Sequence, residues 1–467
     1  MIVSDKGRTN PCACRKKRCD QNYPVCDACR RLNYVCRRDD PRWPRKPGRP
    51  RRALLEAQAA CLCSTRVPDI ANFWVGSGSS TAGDSGSRRR LFLRYYTQGL
   101  AALITTNLEN NCFLSVFLPL AMDSSPFLDA ILAWSSTHLA LRDESYQSFA
   151  LQCRGTALRS LTASLSSAQR QPEVELACCL VHCALESISG DTRQWFTHVQ
   201  GAHQVIRSVC SSKGGQSKLD LRSFNSFEGK WLLRSFAYHD IMTTVAEDKR
   251  PMIVAGHYWL FDEKEPPDSL FGLASKVMYL VSETSILNVD ILECNNVPAH
   301  QAELVQKFEN LELQLLSWQC GSHSSSSTSG PSQSDDLVKL AEMYQNAALL
   351  HLWRVARRHR LADLDLLRRK VDGAVRKIID QLQTLPGRCL VESSLLFPLF
   401  LAGGETSDPE LVDIIRHRMQ DLVEFRHFHN VAAALEVLEE LWHLRWSGKT
   451  LDWRDVLDRK NWMLSIT

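Results

Sequence analysis

From residue 91 onward, apolar side chains return every three or four positions with few interruptions. The segments LFLRYYTQGLAALI (91–104) and SPFLDAILAWSSTHLAL (125–141) carry this spacing, the period of a helix that buries one face. PEVELACCLVHCALESI (172–188) opens with Pro and an acidic first turn, both helix-start signals. The spacing predicts further helices over 337–358, 361–385, 409–425 and 431–446. Long alternating β-branched runs, the mark of half-buried strands, are absent, so the body is expected to be all-α.

Three stretches break the pattern. PRWPRKPGRPRR (41–52) is rich in Pro and Arg and cannot be helical, and GSGSSTAGDSGS (76–87) has the composition of a flexible linker. GSHSSSSTSGPSQSDD (321–336) separates two helical patterns and is expected to be a disordered loop. The expected organisation is a small domain over 1–40, a basic and Ser/Gly-rich linker over 41–90, and a large helical domain over 91–467. That domain is interrupted at about 321–336.

A chain of 467 residues, 44% hydrophobic and 23% charged, is long enough to bury a large core. It has no apolar run of the length a membrane helix needs, and its first residues, MIVSDKGRTNPC, lack the apolar block of a secretory signal. The thiols are therefore expected in a reducing compartment, where closely spaced cysteines bind metal more often than they pair.

Charge is unevenly divided. Residues 1–52 hold 16 Lys/Arg against 5 Asp/Glu, a net of +11, while the other 415 hold 40 against 47, a net of −7. The positive segment also holds six of the 17 cysteines, in PCACRKKRCDQNYPVCDACRRLNYVC (11–36). Positive charge joined to ligand spacing points to a polyanionic partner, because phosphate neutralisation supplies most non-specific nucleic-acid affinity. Cys26-x2-Cys29-x6-Cys36 suits tetrahedral zinc, and Cys19 stands six residues before Cys26 across a loop containing Pro24. So short a segment cannot bury a core of its own, and metal binding would supply its folding energy.

These residues resemble the fungal zinc binuclear cluster, the Zn2Cys6 class of DNA-binding domain, in which a C-x2-C-x6-C half is repeated across a Pro-containing loop. The resemblance implies a small cluster domain of two short metal-tethered helices. One zinc would lie between Cys12, Cys14, Cys19 and Cys26, the second between Cys12, Cys26, Cys29 and Cys36. The first half departs from the pattern: Cys12-x-Cys14 is one residue short and Cys14-x4-Cys19 two. Three accounts stay open. The site tolerates the shorter loop; it holds one zinc through Cys19, Cys26, Cys29 and Cys36; or three residues have been lost at a mis-set splice boundary.

In that family a short helix enters the major groove at a CGG-type triplet. The resemblance thus implies that Arg15, Lys16, Lys17 and Arg18 face the bases, where Lys and Arg can donate to guanine O6 and N7. Arg30, Arg31, Arg37 and Arg38 flank the second half and are expected on phosphates. RKPGRPRR (45–52) resembles an AT-hook, with Arg49 inserting into a narrow minor groove, although Pro47 stands where that motif has Arg. A nuclear-localisation cluster is the competing account of this stretch.

The body resembles the second type of fungal-specific transcription factor domain. The likeness rests on FLDAILAWSSTHLAL (127–141), WFTHVQGAHQVI (195–206) and FEGKWLLRSFAYHDIMTTV (227–245) followed by RPMI. On a helix Trp195, His198 and Ala202 share one face, and Gly201 is expected to permit close helix approach. His138, His198, His239 and Asp240 are titratable, but no catalytic motif surrounds them; core packing and helix-to-helix hydrogen bonds are expected. Cys178, Cys179 and Cys183 are expected to pack as small apolar groups.

The implied function is a nuclear, sequence-specific transcriptional regulator and not an enzyme. Its expected partners are double-stranded DNA and the transcription machinery or co-regulators, with no membrane partner. Secondary-metabolite clusters and nutrient catabolism are typical targets of the family. Residues 51–63 offer barely two heptads, so a homodimer would have to form through the large domain. The alternative is a helical interaction protein whose defective zinc module no longer binds DNA.

Overall fold

The computed structural model describes residues 85–210, 221–253, 267–294, 298–320 and 331–467. Sixteen labels cover their principal helices. Helix α1 runs from Ser85–Tyr95 through a π turn at Tyr96–Leu100 into Ala101–Leu103. It is followed by α2 (Cys112–Ser115), α3 (Phe117–Asp123), α4 (Ser125–Arg142), α5 (Gln147–Leu165), α6 (Pro172–Ile188), α7 (Gln194–Cys210) and α8 (Phe227–Glu247). Then come α9 (Ser275–Glu293), α10 (Pro298–Ser317), α11 (Pro331–His359), α12 (Leu364–Thr384) and α13 (Leu396–Glu405). The series closes with α14 (Pro409–Arg426), α15 (His429–Trp446) and α16 (Trp453–Lys460). No strand occurs among the described residues; an isolated bridge joins Asp268 to Gly272.

Side-chain caps set several of the starts. Ser124, Ser226, Asp363, Asp408 and Asp452 accept backbone N–H groups in the first turns of α4, α8, α12, α14 and α16. Each satisfies a donor that the helix itself leaves unpaired. Helix α11 starts at Pro331, inside the stretch expected to stay a loop through Asp336. Pro at a first helical position is preorganised for the helix, and this signal is hidden beneath Ser-rich composition. Likewise α1 begins at Ser85, within the expected linker.

Three helices form the centre. Asp129 through Ala140 of α4 are all buried, as are nearly all of α6 and residues 235–247 of α8. Helix α4 packs on α5 and α6, α6 on α7 and α8, and α11 on α9, α12 and α13. Helix α15 joins α14, α13 and α16 and also touches α6, so the two halves of the domain share one core.

Gly201 proves not to be the close approach expected of it. A Cβ there would meet Cys179 Sγ at 3.5 Å, an ordinary contact. Tighter approaches occur elsewhere, among them Gly404 on α13, where a Cβ would lie 2.6 Å from the Trp453 ring.

Candidate functional site

Cys12, Cys14, Cys19, Cys26, Cys29 and Cys36 lie outside the described residues, as do Arg15, Lys16, Lys17, Arg18, Arg30, Arg31 and Arg49. Within the described body, the titratable groups singled out above each have structural partners. His138 Nε2 is 2.7 Å from the Arg426 carbonyl, which can only accept, so Nε2 carries the proton. Its Nδ1 then accepts from Tyr95 O–H at 2.7 Å. Burial pushes this imidazole down to about 3, so it is neutral at physiological pH. His198 stacks on His182 with ring centroids 5.1 Å apart. Asp240 accepts the backbone N–H groups of Met252 at 3.0 Å and Ile253 at 3.3 Å, pinning the segment that follows α8.

Cys178, Cys179 and Cys183 are buried on α6, and burial raises all three thiols well above the range in which a thiolate forms. Among the described residues, no group of three or more His, Cys, Asp or Glu could hold a metal ion.

A hollow enclosing about 80 Å³ opens among the central helices. Its apolar wall includes Phe113 of α2, Phe117 of α3, Trp134 of α4 and Leu180 and Ile188 of α6. The aromatic part is fixed by edge-to-face packing: Phe113 meets Trp134 at 6.1 Å and Trp231 at 5.4 Å, and Phe117 meets Trp231 at 4.9 Å. The polar part comes from Ser187, Ser235, Tyr238 and His239, then Ser393, Ser394, Asn430 and Thr467.

The C-terminal segment reaches this hollow at Thr467. Met463 donates its N–H to the Thr192 carbonyl at 2.8 Å, and Trp195 Nε1 donates to the Met463 carbonyl at 2.7 Å. Ser187 Oγ donates to Ser465 Oγ at 3.0 Å, and Asn430 Nδ2 to the Thr467 main-chain oxygen at 2.9 Å. Leu464 and Ile466 are buried beneath this set of bonds.

No Asp, Glu, Lys or Arg side chain is among the lining residues. His239 is neutral there, since burial lowers it to about 4. Two lining side chains, both at least nine-tenths buried, each keep a polar atom with no hydrogen-bond partner: Trp134 Nε1 and Asn430 Oδ1. Trp134 sits in the helix that the sequence marks through FLDAILAWSSTHLAL, but nothing in the sequence distinguishes Asn430.

Residues 90–467 match the fungal specific transcription factor domain. The chain belongs to that family. It is similar to the transcriptional activator protein UGA3 of Saccharomyces cerevisiae, 22% identical over 92% of each chain. It is also similar to an uncharacterized transcriptional regulatory protein of Schizosaccharomyces pombe, 23% identical over 79% of this chain and 70% of that one.

The fungal specific transcription factor domain and these relatives are transcription regulators, not enzymes, and the chain's role is transcription regulation. Its domain is the helical body described above. No described helix is long and apolar enough to cross a membrane.

Proposed function

We propose that the chain is a nuclear, DNA-binding transcriptional regulator that reads CGG-type sites through a zinc cluster held by Cys12, Cys14, Cys19, Cys26, Cys29 and Cys36. One observation carries this reading. A segment with six cysteines and a net charge of +11 shares a chain with a body of the fungal specific transcription factor family. The donor set fits zinc: six thiols, with Cys26, Cys29 and Cys36 at an unstrained chelating spacing. Bound zinc would supply the folding energy of the segment. Arg15, Lys16, Lys17 and Arg18 then serve as base readers and Arg30 and Arg31 as phosphate contacts, with Arg49 in an adjacent A·T-rich minor groove. A relative described as a transcriptional activator favours activation as the output.

The shortened first loop favours one competing reading, a helical regulator that has lost its DNA contact. Native mass spectrometry of the full chain, joined to binding on CGG-containing and scrambled duplexes, separates the two. Two zincs with a preference for CGG are expected, and Cys29→Ala should remove both the metal and the preference while the body stays folded. Sequence-specific binding retained by Cys29→Ala would sink the metal-site assignment. A chain without zinc and without preference would establish the competing reading.

A further inference from the structure

We infer that the outward face of α5 is a self-docking surface, through which two copies of the chain pair as antiparallel helices. The inference concerns the helical body alone and stands whatever residues 1–52 bind.

This face lacks the charge that an exposed helix normally carries. Leu151, Leu158 and Leu165 recur every seven residues and are 58%, 41% and 39% exposed. The charged residues of α5 are Arg154 and Arg159. Arg154 turns to α6, where its Nη2 donates to both oxygens of Glu186 at 2.6 and 2.7 Å. Helix α12, of similar length, exposes Asp365, Arg368, Arg369, Asp372, Arg376 and Lys377. Depletion of charge around exposed apolar groups is the composition of an interface core, not of a solvated face.

Gly155 adds a second observation. It lies in the middle of α5, where glycine weakens a helix relative to Ala. A Cβ there would meet Arg159 Nη1 at 3.5 Å, an ordinary contact, so the body's own packing does not call for glycine. What glycine leaves is a notch between Leu151 and Leu158, open to a side chain from outside.

The order of sizes selects the occupant. Along the face the chain runs Ser148, Leu151, Gly155, Leu158, Thr162, Leu165, small and large in alternation, at spacings of three, four, three, four and three. Read backwards, the spacings are the same while small and large exchange places. A second copy laid antiparallel about a two-fold axis therefore sets Leu158 over Gly155, Leu151 over Thr162 and Leu165 over Ser148, each twice. Leucine knobs then enter small-residue holes along the whole helix, a length of about 28 Å. The patch is complementary to itself, as an isologous interface requires. Charge permits the pairing: in this register Arg159 passes position 154 of the second copy, where Arg154 is already neutralised by Glu186. A parallel pair would set glycine against glycine and leave the notch unfilled. One helix pair makes a small interface, so association is expected to be weak and to depend on concentration.

Sedimentation of the full chain over a wide concentration range reads the association, and the parent is expected to dimerise. Leu158→Glu should weaken the dimer by more than about tenfold, because a carboxylate would be buried in the seam. Gly155→Lys should do the same by filling the notch with a charged chain. Leu158 is exposed and the space over Gly155 is open, so both variants should keep the parent's thermal transition. Antiparallel pairing sets position 158 of one copy against position 155 of the other. An equimolar mixture of the two variants should therefore recover the dimer, with one Glu–Lys pair and one intact Leu–Gly contact. Leu364→Glu, at the exposed start of α12, should leave the association unchanged. A parent that stays monomeric throughout would overturn the inference, as would a dimer that survives Leu158→Glu. Failure of the mixture to recover would overturn the antiparallel register. None of these outcomes bears on zinc content or CGG preference.

Discussion

Arg354 is a charged side chain with only 1% of its side-chain surface exposed, and its surroundings explain how the body tolerates it. Its guanidinium donates to Asp248 at 3.0 and 3.2 Å and to Asp452 at 2.7 Å, and it lies 4.2 Å over the Trp453 ring. Asp248 stands in the left-handed region after α8, and Asp452 caps α16, so this one arginine ties the end of one helix to the start of another. Removing one partner leaves the other charges buried and uncompensated, so Arg354→Met should cost about 3–5 kcal/mol in urea unfolding at pH 7. Asp248→Asn keeps the backbone conformation, because Asn also tolerates left-handed φ, and so isolates charge. Burial raises the Asp248 carboxyl, but Arg354 and Arg358 outweigh it and hold it down at about 2. A depressed carboxyl contributes stability above its unfolded value near 4 that is lost as pH falls toward 2. The gap between Asp248→Asn and the parent should therefore be constant from pH 7 to about 5 and narrow below pH 4. A gap that widened in acid would contradict the pairing.

Among the elements, α13 is closely packed at two successive glycines. A Cβ at Gly404 would press on Trp453 at 2.6 Å, and one at Gly403 would press on Leu438 at 2.7 Å. Gly404→Ala should therefore destabilise by about 1–3 kcal/mol through overpacking. Gly201→Ala should be neutral or stabilising by up to ~1 kcal/mol, since Ala favours helix and the space exists. Thermal melts of the two variants decide it; a loss at Gly201 equal to that at Gly404 would refute the assignment of the tight approach to α13. The contrast shows what pattern can and cannot reveal. Helix α12 was legible because Leu367, Val371, Ile378 and Leu382 repeat on one buried face opposite Arg368 and Arg369. Helix α4 was legible from its apolar spacing, whereas α8, buried on nearly every side, was marked in the sequence only through its likeness to a family segment. A glycine's neighbours come from another helix, so neither Gly201 nor Gly404 shows its role in its own segment. The hollow was illegible for the same reason: its lining is drawn from segments between Ile104 and Thr467.

At the scale of the molecule, the buried histidines couple folding to mild acid. His138, His182, His239 and His351 come from α4, α6, α8 and α11, and burial lowers them to about 3, 3, 4 and 3. His138 and His239 accept their neutral state with partners on other helices, Tyr95 and Arg426 for the first and Cys183 for the second. His351 takes Ser285 at 3.1 Å. An unfolded chain protonates these rings near pH 6.5, whereas the folded one holds them neutral to far lower pH. Their contribution is thus complete above pH ~6.5 and erodes as pH falls toward the folded values, by about 2 kcal/mol each at pH 5. Stability should begin to fall between pH 6.5 and 5, above the range in which Asp248 titrates. The decisive quantity is proton uptake on unfolding at pH 5, obtained by calorimetry in buffers of different ionisation enthalpy. Roughly three or more protons per molecule are expected from these four rings, since each is nearly fully charged when unfolded and neutral when folded. An uptake below one proton would mean that the rings are already charged in the folded state. Their helix-to-helix hydrogen bonds would then be misassigned.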